Sequence, residues 1–177
     1  VLTRLGIGVH VPPNQACCGA LHLHAGKPEE ARALARRNLA AFAPLRVDAV
    51  LFAAGNCGAR LTEYPRMLSE DGQAARFSSA VKDVIQFLDS LEWPEHVRLA
   101  PLPARVAVHE PCGVTHVLRR PGRAQALLSR IPDIELVSLP ENGRCCGAAG
   151  SYMFTQPEMA QALLADKLAH LGRVAPA

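Results

Sequence analysis

Cys17-Cys18-Gly19 near the start of the chain and Cys145-Cys146-Gly147 near its end decide how the sequence is read. Their downstream neighbours repeat as well. Pro28-Glu29-Glu30-Ala31-Arg32-Ala33-Leu34, closing on Leu39-Ala40, matches Pro157-Glu158-Met159-Ala160-Gln161-Ala162-Leu163, closing on Leu168-Ala169. Upstream, Thr3-Arg4-Leu5 parallels Ser129-Arg130-Ile131. A duplicated unit is the economical explanation. Two copies do not make a solenoid; they predict a pseudo-twofold arrangement of two halves.

The repeat also predicts its own missing parts. Cys57 lies 39 residues beyond Cys18, and the same spacing after Cys146 would fall near 185, past Ala177. Cys112 precedes Cys145 by 33, and the matching position in the first half would fall before Val1. The chain opens on Val1 rather than Met, so it is expected to continue beyond both ends.

Each cysteine pair is embedded in an alternation of apolar runs and helical periodicity. Residues 5–11 (Leu5, Ile7, Val9, Val11) alternate like a strand, ended by Pro12-Pro13-Asn14. Pro28 with Glu29 and Glu30 reads as a helix start, carried by Ala31, Leu34, Ala35, Leu39 and Phe42 to about Ala43. Val47–Ala54 reads as a buried parallel strand feeding Gly55-Asn56-Cys57-Gly58, with helices expected over 59–69 and 75–91. Trp93, Pro94, Pro101 and Pro103 mark a linker over 93–103. Beyond it come a strand at Arg105–Glu110 feeding Pro111-Cys112-Gly113, a helix over 121–130, a strand at Ile134–Leu139 and a helix from Pro157 to about Leu171. The expected fold is α/β: two pseudo-repeated halves, 1–92 and 104–177, each with a small, mostly parallel sheet flanked by helices.

Composition bounds the function. The chain has 177 residues, 49% hydrophobic and 20% charged, with a net charge of +3. The basic residues are dispersed, which argues against a nucleic-acid surface. Arg36-Arg37 and Arg119-Arg120 read as solvated faces. No apolar run approaches the roughly 18–20 residues that span a bilayer. No Lys/Arg-then-apolar leader opens the sequence, so a reducing compartment is expected, where cysteines serve as ligands or redox groups more often than as disulfides.

Four of the six cysteines sit in the two pairs; Cys57 and Cys112 each follow an apolar run. Adjacent side chains on a strand point to opposite faces, so a Cys-Cys pair serves one centre only where the chain bends sharply. Gly19 and Gly147 permit such a bend. Cys57 and Cys112 lie beyond strands, at the carboxyl edge where α/β sheets place ligands. One such pair alone would favour a packing role. Two in matching context favour metal or cluster ligation, with structural zinc as the alternative. A single nucleophilic cysteine paired with a histidine is disfavoured, because nothing singles one cysteine out. His22, His24 and His116 read as surface or hydrogen-bonded residues; His109, on the strand feeding Cys112, is the best functional candidate among them. Tyr152 and Phe154 are expected to pack rather than to contact a substrate.

At these residues the sequence resembles the CCG (cysteine-rich) domain family. That family includes a component of heterodisulfide reductase, lactate-utilisation iron–sulfur proteins and the glycolate oxidase iron–sulfur subunit. The last is most similar over Cys17-Cys18-Gly19-Ala20-Leu21-His22, Gly55-Asn56-Cys57-Gly58 and Cys145-Cys146-Gly147-Ala148-Ala149-Gly150-Ser151-Tyr152. The resemblance implies an electron-transfer subunit with iron–sulfur clusters of the 4Fe-4S type. Cys112, Cys145 and Cys146 would ligate one centre, and Cys17, Cys18 and Cys57 another. It implies a partner flavin subunit that oxidises glycolate or a related 2-hydroxy acid, a quinone or other acceptor, and a cytoplasmic place, including the inner face of the cell membrane reached through the complex. The other readings are a zinc-stabilised docking module without redox activity and a heterodisulfide-reductase-like or lactate-utilisation role.

Overall fold

The structure is a computed structural model and describes residues 1–119 and 121–174. Arg120, read above with Arg119 as a solvated pair, and residues 175–177 of the second half lie outside the described residues. Arg119 itself is exposed. The chain forms two compact units, Val1–Phe87 and a second from Leu88 onward.

Unit 1 opens with a 3-10 turn, Leu2–Leu5, and then α1 (Ala20–His24) and α2 (Pro28–Phe42). There follow β1 (Val50–Phe52), α3 (Gly55–Thr62), α4 (Tyr64–Met67), α5 (Gly72–Ala80), β2 (Val81–Asp83) and α6 (Val84–Asp89), the last running across the unit boundary. β1 and β2 pair in parallel, Val50 against Val81 and Phe52 against Asp83. A parallel pair needs a crossover, and α3–α5 supply it. Pro28 at the first position of α2 loses no hydrogen bond, and Glu29 and Glu30 suit the positive end of the helix. Its apolar face puts Ala35 and Leu39 into a core with Val50, Tyr64, Leu68, Ala74 and Phe77. Tyr64 stacks on Phe77 at 5.6 Å, and Phe42 meets Phe77 edge-on at 5.4 Å.

Unit 2 holds β3 (Arg105–Ala107), a π-helical turn at Gly113–Val117, α7 (Arg123–Leu128), β4 (Glu135–Val137), α8 (Tyr152–Thr155) and α9 (Pro157–Gly172). β3 and β4 are also parallel, Arg105 against Glu135 and Ala107 against Val137. The α/β class with two small parallel sheets is therefore as expected. No helix among the described residues is long and apolar enough to cross a membrane.

Three expectations are corrected. Residues 5–11 form no strand: Gly8–Val11 make no backbone hydrogen bond among the described residues, and Val9 and Val11 are exposed. Apolar alternation specifies a strand only where a neighbour offers a ladder. Here the segment instead lines one side of a groove of about 550 Å³, with Leu45, Val47 and Val50 opposite. Second, the helix expected over 75–91 is split by β2. Asp83 Oδ1 accepts from the amides of Ile85 and Gln86, at 2.8 and 3.2 Å, so the strand ends and the next helix starts at one residue. Third, Tyr152 and Phe154 do not pack inside; Phe154 is 74% exposed. They lie on a one-turn helix, beside an α9 whose Leu164, Leu168 and Leu171 are also exposed.

Both cysteine pairs are followed by a glycine in the left-handed region, Gly19 at φ 83° and Gly147 at φ 81°. The fit behind Gly147 is the tighter: an added methyl would come within 2.3 Å of the Ala160 carbonyl oxygen, against 3.1 Å from that of Ala31 behind Gly19. Gly147→Ala is expected to destabilise unit 2 by about 2–4 kcal/mol, combining left-handed strain and overpacking, and Gly19→Ala to cost unit 1 visibly less. Chemical denaturation of the metal-free variants measures both; equal losses would contradict this reading of the packing.

Candidate metal centre

In unit 1 the loop ahead of α1 carries Cys17, which is exposed, and Cys18, which is buried. Cys57 sits in the first turn of α3, directly beyond the carboxyl end of β1. Cys57 and Cys17 both lie near enough to act on the Cys18 thiol. Burial pushes the Cys18 thiol up from 9.0 to about 12; a hydrogen bond from the Ala20 backbone opposes this, and Cys57 adds to it.

A polar network beneath the pair holds the loop. Asn38 Oδ1 accepts from Ala16 N at 2.7 Å, and Asn38 Nδ2 donates to Cys17 O at 3.2 Å and to Tyr64 Oη at 2.9 Å. The Tyr64 hydroxyl in turn donates to Cys18 O at 3.2 Å. Tyr64 is fully buried, and its hydroxyl is pushed up to about 12, chiefly by burial and against the Asn38 hydrogen bond. It is therefore a permanent neutral donor.

In unit 2, Cys112 precedes the π-helical turn just beyond β3, and its exposed thiol makes no hydrogen bond among the described residues. Cys145 is exposed and Cys146 half-buried; Cys145 Sγ accepts from Gly147 N at 3.4 Å. Asn142 ties the two loops together. Its Oδ1 accepts from Glu110 N at 3.2 Å and lies 3.4 Å from His109 Nδ1, while its Nδ2 donates to Val108 O at 3.1 Å. His109 thus helps to position a loop. From α9, the buried Lys167 ammonium donates to three carbonyls of the loop ahead of Cys145.

The donor set suits a soft metal or an iron–sulfur cluster. Six free thiols are present, three in each unit, with a backbone N–H on one sulfur. The side chains do not stand converged: no three His, Cys, Asp or Glu among the described residues form a ready metal-binding group. In unit 1 Cys17 and Cys57 both act on the Cys18 thiol, and in unit 2 Asn142 links the loops that carry Cys112 and Cys145. Of the other histidines, His24 and His116 are exposed, and His22 Nδ1 is buried without a partner.

Asn38, Tyr64, Asn142 and Lys167 were missed by motif reading. Asn38 and Lys167 carried a signal all the same: each is a polar residue on the inward stripe of its helix, ten positions after the helix proline.

The family profile described as the cysteine-rich domain, CCG, matches residues 1–62 and 106–176. The probable glycolate oxidase iron–sulfur subunit of Bacillus subtilis (strain 168) is 36% identical, over 96% of this chain and 39% of its own length. The glycolate oxidase iron–sulfur subunit of Escherichia coli (strain K12) is 34% identical, over 95% of this chain and 42% of its own. Lactate utilization protein A of Geobacillus thermodenitrificans (strain NG80-2) is 30% identical, over 98% of this chain and 73% of its own. The chain thus spans about two fifths of the first two relatives. No solved structure matches it.

Tyr64→Phe is expected to destabilise unit 1 by about 1–3 kcal/mol, since it leaves the Cys18 carbonyl short of a buried donor. Urea unfolding measures this, and no loss would show the network to be ornamental. The Cys18 thiol gives a pH signature. Its folded value lies above the unfolded 9.0, so its contribution to stability is intact below pH 9 and is lost as pH rises toward 12. Alkylation of the metal-free chain at about pH 8.5, near the ordinary thiol range, followed by peptide mass mapping, is expected to modify Cys17 well before Cys18. Equal rates would contradict the burial.

Proposed function

Because the chain belongs to the cysteine-rich (CCG) domain family, we propose that it is the cluster-carrying region of an iron–sulfur electron-transfer subunit in a complex that oxidises glycolate or a related 2-hydroxy acid. The single observation that carries this reading is the duplicated cysteine loop. In each unit it is pressed against the following helix by a glycine and held from beneath by a buried polar side chain. Names of relatives from glycolate and lactate metabolism support the substrate class.

In this reading Cys17, Cys18 and Cys57 hold one centre, and Cys112, Cys145 and Cys146 hold the other, of the 4Fe-4S type. Such a cluster, when bound, supplies a one-electron carrier. The chain's own residues do the rest. Asn38 and Tyr64 satisfy the loop backbone so that Cys17 and Cys18 are presented at the end of β1 beside Cys57. Asn142 brings the Cys112 loop to the Cys145 loop. In the metal-free chain Cys18 Sγ keeps its proton, and that proton leaves when the thiolate becomes a ligand. The halves 1–92 and 104–177, joined by 93–103, each act as a carrier. Substrate oxidation belongs to a flavin-containing partner subunit, and a quinone or similar acceptor takes the electrons, in the cytoplasm or at the inner face of the membrane.

Anaerobic reconstitution followed by iron, sulfide and zinc analysis tests this. Iron and acid-labile sulfide are expected in equal amounts, with Cys18→Ser and Cys145→Ser each removing about half, because each unit would hold its own cluster. Zinc without sulfide would replace the electron carrier with a zinc-stabilised docking module.

A further inference from the structure

The helices that follow the two cysteine loops begin at Pro28 and Pro157, and ten residues on, each carries a buried polar side chain: Asn38, 3% exposed, and Lys167, 6% exposed. Both reach back to the loop. Asn38 spans the peptide that leads into Cys17, accepting from Ala16 N and donating to Cys17 O. Lys167 Nζ donates to Glu141 O, Asn142 O and Arg144 O at 3.3, 2.6 and 3.4 Å. The last of these carbonyls belongs to the peptide that leads into Cys145. An ammonium has three protons, and the loop offers three acceptors, so this buried charge is satisfied by the loop itself.

The two clamps differ in charge. Asn38 and its partner Tyr64 are neutral. Lys167 is a cation with no ion pair among the described residues, whereas its neighbour Arg144 is balanced by Asp166 at 3.1 Å and also touches His170 Nε2 at 3.2 Å. Unit 1 has cations near its loop as well: Arg37 Nε donates to Asn14 O at 3.1 Å, and Arg60, on the helix of Cys57, acts on the Tyr64 hydroxyl. The Arg37 contact is exposed, where water and salt screen it, and the Arg60 charge is neutralised by Glu63 at 2.8 Å, whereas Lys167 has no carboxylate partner among the described residues.

We infer that this helix position is the positioning residue of each cysteine loop, and that its chemistry, neutral at Asn38 and cationic at Lys167, makes the two centres unequal. The second half of the inference rests on the cluster reading above. One-electron reduction adds one negative charge to a centre and makes or breaks no bond; the electron comes from reduced flavin in a complex and from dithionite in the assay. A buried cation one peptide from Cys145 favours the more negative state. The centre of unit 2 therefore takes its electron at the higher potential.

Two measurements on the full chain separate the parts. In the metal-free protein, Lys167→Met is expected to speed amide hydrogen exchange over residues 142–147 about tenfold, the loss of one satisfied buried group, and to leave residues 14–19 unchanged. Lys167→Arg is expected to rescue it. Unchanged exchange in Lys167→Met overturns the positioning role. If that variant does not fold, Lys167→Asn and Lys167→Arg carry the comparison, and equal exchange in the two overturns it. In the reconstituted protein, a dithionite titration followed by electron paramagnetic resonance is expected to show two midpoints. Lys167→Asn, which installs the residue of unit 1, is expected to lower the higher midpoint and leave the other in place. Two unmoved midpoints overturn the inequality. A wild-type chain that takes up no cluster defeats the electron-transfer reading and the inequality together, while the exchange result still decides the positioning role.

Discussion

The Gly147 backbone lies so close to α9 that a methyl group there would come within 2.3 Å of the Ala160 carbonyl oxygen. This close approach of a cysteine loop to the following helix is the constraint from which the rest of each unit follows. It requires a residue without a Cβ, in the left-handed conformation, immediately after the second cysteine. With the loop pressed onto the helix, a side chain three turns along can reach the loop backbone from beneath. The loop backbone presents polar groups toward the helix, and these call for partners. Asn38 meets the need with an amide and Lys167 with an ammonium.

The two units share this frame but differ in how it is completed. In unit 1 the inward stripe of α2 is covered by Val50 and by residues that come after Cys57, and Tyr64 does two tasks. Its ring stacks on Phe77 in the core, and its hydroxyl reaches the Cys18 carbonyl. Packing and site are thus coupled through one side chain, and the consequence is a buried Cys18 that holds its proton strongly. In unit 2, Leu164 and Leu168 stand where Ala35 and Leu39 stand in unit 1, yet they are exposed. Hydrogen bonds from Asn142 and Lys167 replace core packing as the means of holding the loops. The two copies of one frame therefore differ in the group that holds the loop, because that group lies in the helix and not in the cysteine motif.

The repeat was legible because it is written in residue identity: the doubled cysteine pair, the proline and glutamate that open each helix, and the apolar runs before Cys57 and Cys112. These established the α/β class, α2 and α9 nearly to the residue, and the family. Local periodicity was less secure. Ile7, Val9 and Val11 alternate as a strand does, yet no ladder partner is present among the described residues and none forms. Val81–Asp83 sat inside a helical pattern, yet becomes a strand because β1 offers it an edge.

What the sequence by itself determined is which chemistry recurs and in what order: thiols in pairs, a glycine after each, a helix after that. Such features depend on residue type and on near neighbours along the chain. Only the tertiary structure decided which distant groups meet: Tyr64 under Cys18, Asn142 bridging to Val108 and Glu110, Lys167 beneath the carbonyl before Cys145. The physical reason is that a buried polar group is satisfied by whatever partner the packed chain brings within hydrogen-bond reach. That partner is set by the close fit of loop on helix and not by distance along the sequence.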